Sequence, residues 1–79
     1  MPEYPRLRLL REKNGYTQKA ISEYLNMKQP QYLRYEKGLR DLPTDVLISL
    51  AYKYDTSIDY LLGVTDVANS YPKTKGKIL

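Results

Sequence analysis

The residues best suited to chemistry lie between positions 28 and 40, in the run KQPQYLRYEKGLR. Gln29, Pro30, Leu33 and Arg34 are a poor set for a helix that only fills a core. At about 100° per residue from Pro30, Tyr32 and Tyr35 fall at roughly 200° and 140°, while Pro30, Leu33, Arg34 and Lys37 gather around roughly 340°. Two faces separate: the tyrosines turn inward, leaving an amide, a proline ring, a leucine and two cations facing out. Taken alone, Leu33 reads as a core leucine; its angle, opposite the tyrosines, predicts that it stays mostly exposed. These outward groups are what reading base edges in a DNA major groove requires. Gln bonds adenine bidentately, Arg bonds guanine, and apolar groups touch the thymine methyl.

Composition narrows the alternatives. The chain has no Cys and no His, so disulfides, thiolate or imidazole metal ligands and the usual neutral-pH proton shuttle are excluded. No catalytic residue, metal site or cofactor is expected, and Asp55 and Asp59 sit where helix caps and exposed faces need carboxylates. At 79 residues there is room for one modest core. Neither a membrane-length apolar run nor a hydrophobic signal segment is present, which predicts a cytoplasmic protein with no membrane partner. Charge is uneven. Residues 1–40 carry nine Lys/Arg against four Glu, a balance of +5, and residues 41–79 carry four Lys against five Asp, a balance of −1. The first half is the expected face for a polyanion, although such charge also serves simply to keep a small domain in solution.

The elements that position this face follow from caps and breakers. Pro5 opens a first helix with Leu7, Leu10 and the stem of Arg11 on one side, and Asn14-Gly15 ends it. Thr17 caps a second, with Ala20, Ile21, Tyr24 and Leu25 as its apolar stripe and a break at Asn26. The third runs from Gln29 to Lys37, tolerates Pro30 in its first turn and closes at Gly38. After the loop LRDLP, a fourth starts at Pro43 or Thr44 with Val46, Leu47, Leu50, Ala51 and Tyr54 on one face. Ser57 caps a fifth, IDYLL, which Gly63 ends. The expected fold is all-α, a compact five-helix bundle over residues 1–66, with a flexible tail over 67–79. In that tail Lys73, Lys75 and Lys77 read as solvating charges, with extra DNA contact as the rival. The nine tyrosines fit polar-tipped core positions on or beside apolar stripes better than single-strand stacking platforms.

The sequence from TQ through the apolar second helix, the turn, YEKG, LRDLP and SIDYLLG resembles the Xre/Cro/phage-repressor helix-turn-helix family over roughly residues 6–66. That resemblance implies a lambda-repressor-like DNA-binding domain whose second helix spans the major groove and whose third is the recognition helix. It implies base-reading positions at Gln29, Pro30, Leu33 and Arg34, and a phosphate contact at Gln18 that also braces Gln29. Thr17, Lys19, Lys28, Lys37 and Arg40 are expected to complete a ring of phosphate contacts. Arg11 and Glu36 match a salt bridge between helices one and three. Two residues depart from the family pattern: Lys28 replaces the usual hydroxyl cap, and Pro30 lacks an amide donor.

The function these expectations imply is a sequence-specific double-stranded DNA-binding transcriptional regulator, a repressor that occupies an operator with inverted-repeat half-sites as a homodimer. Its dimer is expected to use the bundle itself, around Tyr60, Leu62, Val64 and the tail, and to be weak or DNA-dependent. The rival class is a protein-interaction module such as an antitoxin or anti-activator.

Overall fold

The computed structural model describes residues 4–69. Five α-helices follow one another: α1 (Pro5–Lys13), α2 (Gln18–Tyr24), α3 (Gln29–Glu36), α4 (Thr44–Lys53) and α5 (Ile58–Leu62). Their starts follow the caps. The Thr17 hydroxyl accepts from the Ala20 amide at 3.0 Å and the Ser57 hydroxyl from the Tyr60 amide at 3.0 Å. Pro5 and Pro30 each sit in a first turn, where a missing N–H costs nothing. Asp45 in the first turn of α4 suits the positive end of that helix.

All five helices stop in the same way. Gly15, Asn26, Gly38, Asp55 and Gly63 each adopt a left-handed backbone. In every case the amide of that residue and the amide after it fold back onto carbonyls of the last turn, for example Gly38 to Tyr35 at 3.1 Å and Leu39 to Arg34 at 2.9 Å. This double bond is the Schellman motif. It lets helices of five to ten residues end abruptly, so the chain reverses within a few positions.

The core is one cluster built from every helix: Leu7 and Leu10 of α1, Ile21 of α2, Tyr32 and Tyr35 of α3, Val46 and Leu50 of α4 and Leu61 of α5, with Tyr4, Leu42 and Tyr54 at the ends of elements. α2 packs most extensively on α3, and α1 touches both α3 and α5. Tyr32 is fully enclosed and Tyr35 nearly so, as the angular reading predicted. The stripe proposed for α2 is only partly inward: Ile21 is buried and Leu25 half-buried, but Ala20 and Tyr24 are exposed. Seven residues packed chiefly on one neighbour hide a narrower strip than the spacing suggested. Tyr24 instead reaches sideways. Its hydroxyl donates to the Ser49 carbonyl at 3.1 Å, and its ring and that of Tyr16 flank the Lys53 ammonium at 4.7 and 4.8 Å.

Beyond α5 the chain stays attached. The Arg6 guanidinium stacks on Tyr60, 4.0 Å from the ring centroid, and donates to the carbonyls of Tyr60 and Thr65 and to Asp66. The buried Thr56 hydroxyl donates to the Ala68 carbonyl at 2.6 Å. Residues 65–68 are therefore held on the bundle, including the first positions read as tail. Lys73, Lys75 and Lys77 lie outside the described residues. Among the described residues no helix is long and apolar enough to cross a membrane.

Candidate nucleic-acid interface

The α2–turn–α3 unit is fixed from within and from behind. Inside the turn, left-handed Asn26 reverses the chain and half-buried Met27 packs on the core. Lys28 is extended at the head of α3, makes no side-chain cap, and takes the Gln31 and Tyr32 amides on its carbonyl. From behind, Arg11 grips both helices. Its Nε donates to Glu36 Oε2 at 2.6 Å, its Nη2 lies 3.3 Å from Oε1, and its Nη1 donates to the Tyr16 carbonyl at 3.0 Å. That carbonyl lies one residue before the Thr17 cap. One guanidinium thus sets the beginning of α2 against the end of α3.

The pair is shielded, with 10% of the Arg11 side chain and 4% of the Glu36 side chain accessible. Hydrogen bonding to Glu36 holds the Arg11 guanidinium above its ordinary pKa despite burial. Two phenols crowd the same region. Burial, then the Glu36 carboxylate, raises Tyr32; burial, then the same carboxylate, raises Tyr54. The Tyr32 hydroxyl lies within the field of Glu36 without reaching hydrogen-bond geometry, and the Tyr54 hydroxyl is likewise unpartnered among the described residues.

On the outer side, Lys28, Gln29, Pro30, Gln31, Arg34 and Lys37 are exposed, and Arg40 is exposed in the following loop. Leu33 departs from expectation. It is half-buried, because it stands at the margin between the outer face and the tyrosines, and it presents only part of its side chain. Gln18 is half-buried beside the tip of α3, and its Oε1 lies 3.4 Å from the Gln29 Nε2, a long contact. Thr17 is exposed, with its hydroxyl already committed to the cap of α2.

The cations divide by location. Arg6, Arg8 and Arg11 are paired with Asp66, Glu12 and Glu36, and Lys53 lies between two rings. Among the described residues, Lys19, Lys28, Arg34, Lys37 and Arg40 form no ion pair. The side of the molecule carrying α3 therefore offers unneutralised positive charge around its amides, while on α1 Arg6 and Arg11 are engaged with other elements, Arg8 pairs with Glu12 on the same helix, and Lys13 forms no ion pair among the described residues.

A helix-turn-helix family model matches residues 7–61. The chain belongs to this helix-turn-helix family. Over 63 residues it is 44% identical to the HTH-type transcriptional regulator ImmR of Bacillus subtilis (strain 168), an overlap of 80% of this chain and 50% of that relative. Over 74 residues it is 38% identical to the uncharacterized HTH-type transcriptional regulator YobD of the same organism, covering 94% of this chain and 64% of the relative. The chain spans between half and two thirds of the length of these curated relatives.

Proposed function

We propose that the protein is a sequence-specific double-stranded DNA-binding transcriptional regulator that reads the major groove with α3. The observation that carries this reading is the outer surface of α3, where Arg34, Lys28 and Lys37, without ion pairs among the described residues, surround Gln29 and Pro30. Gln29 would meet adenine, Arg34 guanine, and Pro30 with the accessible edge of Leu33 a thymine methyl. The contact between Gln18 and Gln29 favours one orientation of the Gln29 amide, which supports bidentate use of its outer edge. Thr17, Gln18, Lys19, Lys28, Lys37 and Arg40 supply phosphate contacts; these fix register without reading sequence.

Regulation follows by occupancy. A domain seated on an operator excludes other proteins from it, so repression needs no chemical step, cofactor or metal. The two relatives are named as transcriptional regulators, which supports the same role here. The partner is double-stranded DNA in the cytoplasm, bound as a homodimer on an inverted repeat. Exposed Leu62 and Val64 support a self-association surface beside α5. Tyr60, also assigned to that surface, is half-buried under Arg6 and contributes an edge at most.

Selection of bound sites from a random duplex library tests the reading. It predicts enrichment of one short motif in two inverted copies, with affinity falling steeply as salt rises. Recovery of unenriched sequence at low salt would instead favour a protein-binding module.

A further inference from the structure

The loop between α3 and α4 contains an internal conflict: Arg40, assigned above to a DNA phosphate, is followed directly by Asp41. Two exposed neighbours of opposite sign can meet by side-chain rotation alone, and a carboxylate on Arg40 would offset much of its attraction for a phosphate. Among the described residues that pairing is not formed. Asp41 Oδ1 instead accepts from the Tyr4 hydroxyl, 37 positions away in the chain, at 3.3 Å.

Tyr4 is well placed to hold it. The residue is 8% exposed, belongs to the core cluster and stands immediately before Pro5, the first residue of α1. Its phenol is raised by burial and then by Asp41, and is lowered by the Leu42 backbone, so the hydroxyl lies against the Asp41–Leu42 stretch of the loop. Tyr4 also lines a shallow depression with Pro5, Glu36, Lys37 and Leu39, which sets it beside the end of α3. Leu42, the next residue, is buried in the core and anchors the far side of the loop. Nothing in this arrangement engages Arg40.

We propose that Tyr4 is a positioning residue for DNA binding: its hydroxyl engages Asp41 and keeps that carboxylate off the Arg40 guanidinium, leaving the cation for a backbone phosphate. This rests on the DNA-binding reading above. The contact is long, so its role is to bias Asp41 rather than to brace the fold.

The test titrates the wild type, Tyr4→Phe, Asp41→Asn and the double variant with a labelled random-sequence DNA duplex at several salt concentrations, with a melting curve for each. Tyr4→Phe keeps the ring and loses only the hydroxyl. It is expected to weaken binding on the order of fivefold and to lower the salt slope by up to about one unit, the signature of one lost phosphate contact. Asp41→Asn is expected to bind at least as tightly as the wild type, and the double variant to match Asp41→Asn, because no carboxylate is left to compete. The inference is overturned if Tyr4→Phe binds like the wild type, or if its loss persists undiminished in the Asp41→Asn background, which would make Tyr4 a packing residue. A wild type that binds no duplex at low salt would overturn the DNA reading first, and the inference with it.

Discussion

Arg11 joins three elements through one planar group, and its geometry sets the cost of losing a partner. Replacing Glu36 with Ala leaves a shielded guanidinium beside two phenols with only the Tyr16 carbonyl to meet it. Removing one member of a buried pair costs about 3–5 kcal/mol, so Glu36→Ala is expected to lower unfolding stability by that order in denaturant titration. A loss near zero would mean that solvent reaches the pair. The neighbouring tyrosines give a pH signature. Tyr32 and Tyr54 have an ordinary value of 10.0 when unfolded and lie higher in the fold, chiefly through burial. Their contribution is therefore fully present below that value and is lost progressively as pH rises above it toward the folded values, because the unfolded chain sheds protons that the fold retains. Each group contributes a fall of about 1.4 kcal/mol per pH unit in that range. Denaturation should show little of this slope at about pH 9 and nearly all of it by about pH 11, where Tyr54→Phe should flatten it by about one proton; an unchanged slope would remove Tyr54 from the set.

At the scale of elements, boundaries were the most legible feature and side-chain reach the least. Gly15, Gly38 and Gly63 mark three helix ends and Asn26 a fourth, because these are residue types that tolerate a left-handed backbone, as Asp55 does at the fifth. Thr17 and Ser57 marked starts for an equally local reason. What no period encodes is a polar side chain that meets an oxygen distant in the chain. Arg6 on Thr65, Thr56 on Ala68, Tyr24 on Ser49 and Tyr4 on Asp41 all depend on how elements pack, and none leaves a pattern along the chain. Leu33 shows a related limit: a helical wheel divides two faces, but a side chain at their border is decided by its neighbours' volume. The helix ends can be tested separately from packing. A Cβ added at Gly63 would meet no atom within 4 Å, so Gly63→Ala isolates backbone strain. The expected cost is about 1–2 kcal/mol in thermal or chemical unfolding. No loss would mean that the turn relaxes to a right-handed end.

For the whole molecule, the division of charge links fold to function. Arg6 and Arg11 of α1 hold elements together, whereas Lys28, Arg34 and Lys37 around α3 form no ion pair among the described residues. The candidate site was legible because Gln29, Pro30 and Arg34 make little sense as core residues, and the structure leaves all three exposed. Their order of importance was not legible, since reading and holding use the same chemistry until the nucleic acid is present. The most direct measurement compares Arg34→Ala with Arg40→Ala on the best selected operator and on random duplex, over a range of salt. If α3 reads bases, Arg34→Ala costs roughly 1–3 kcal/mol on the operator, relaxes preference at one base position and changes random binding less. Arg40→Ala should weaken both duplexes by similar factors and reduce the salt slope by about one unit. If Arg34→Ala instead weakens operator and random duplex equally, with site preference intact, the claim that α3 reads sequence through Arg34 is contradicted.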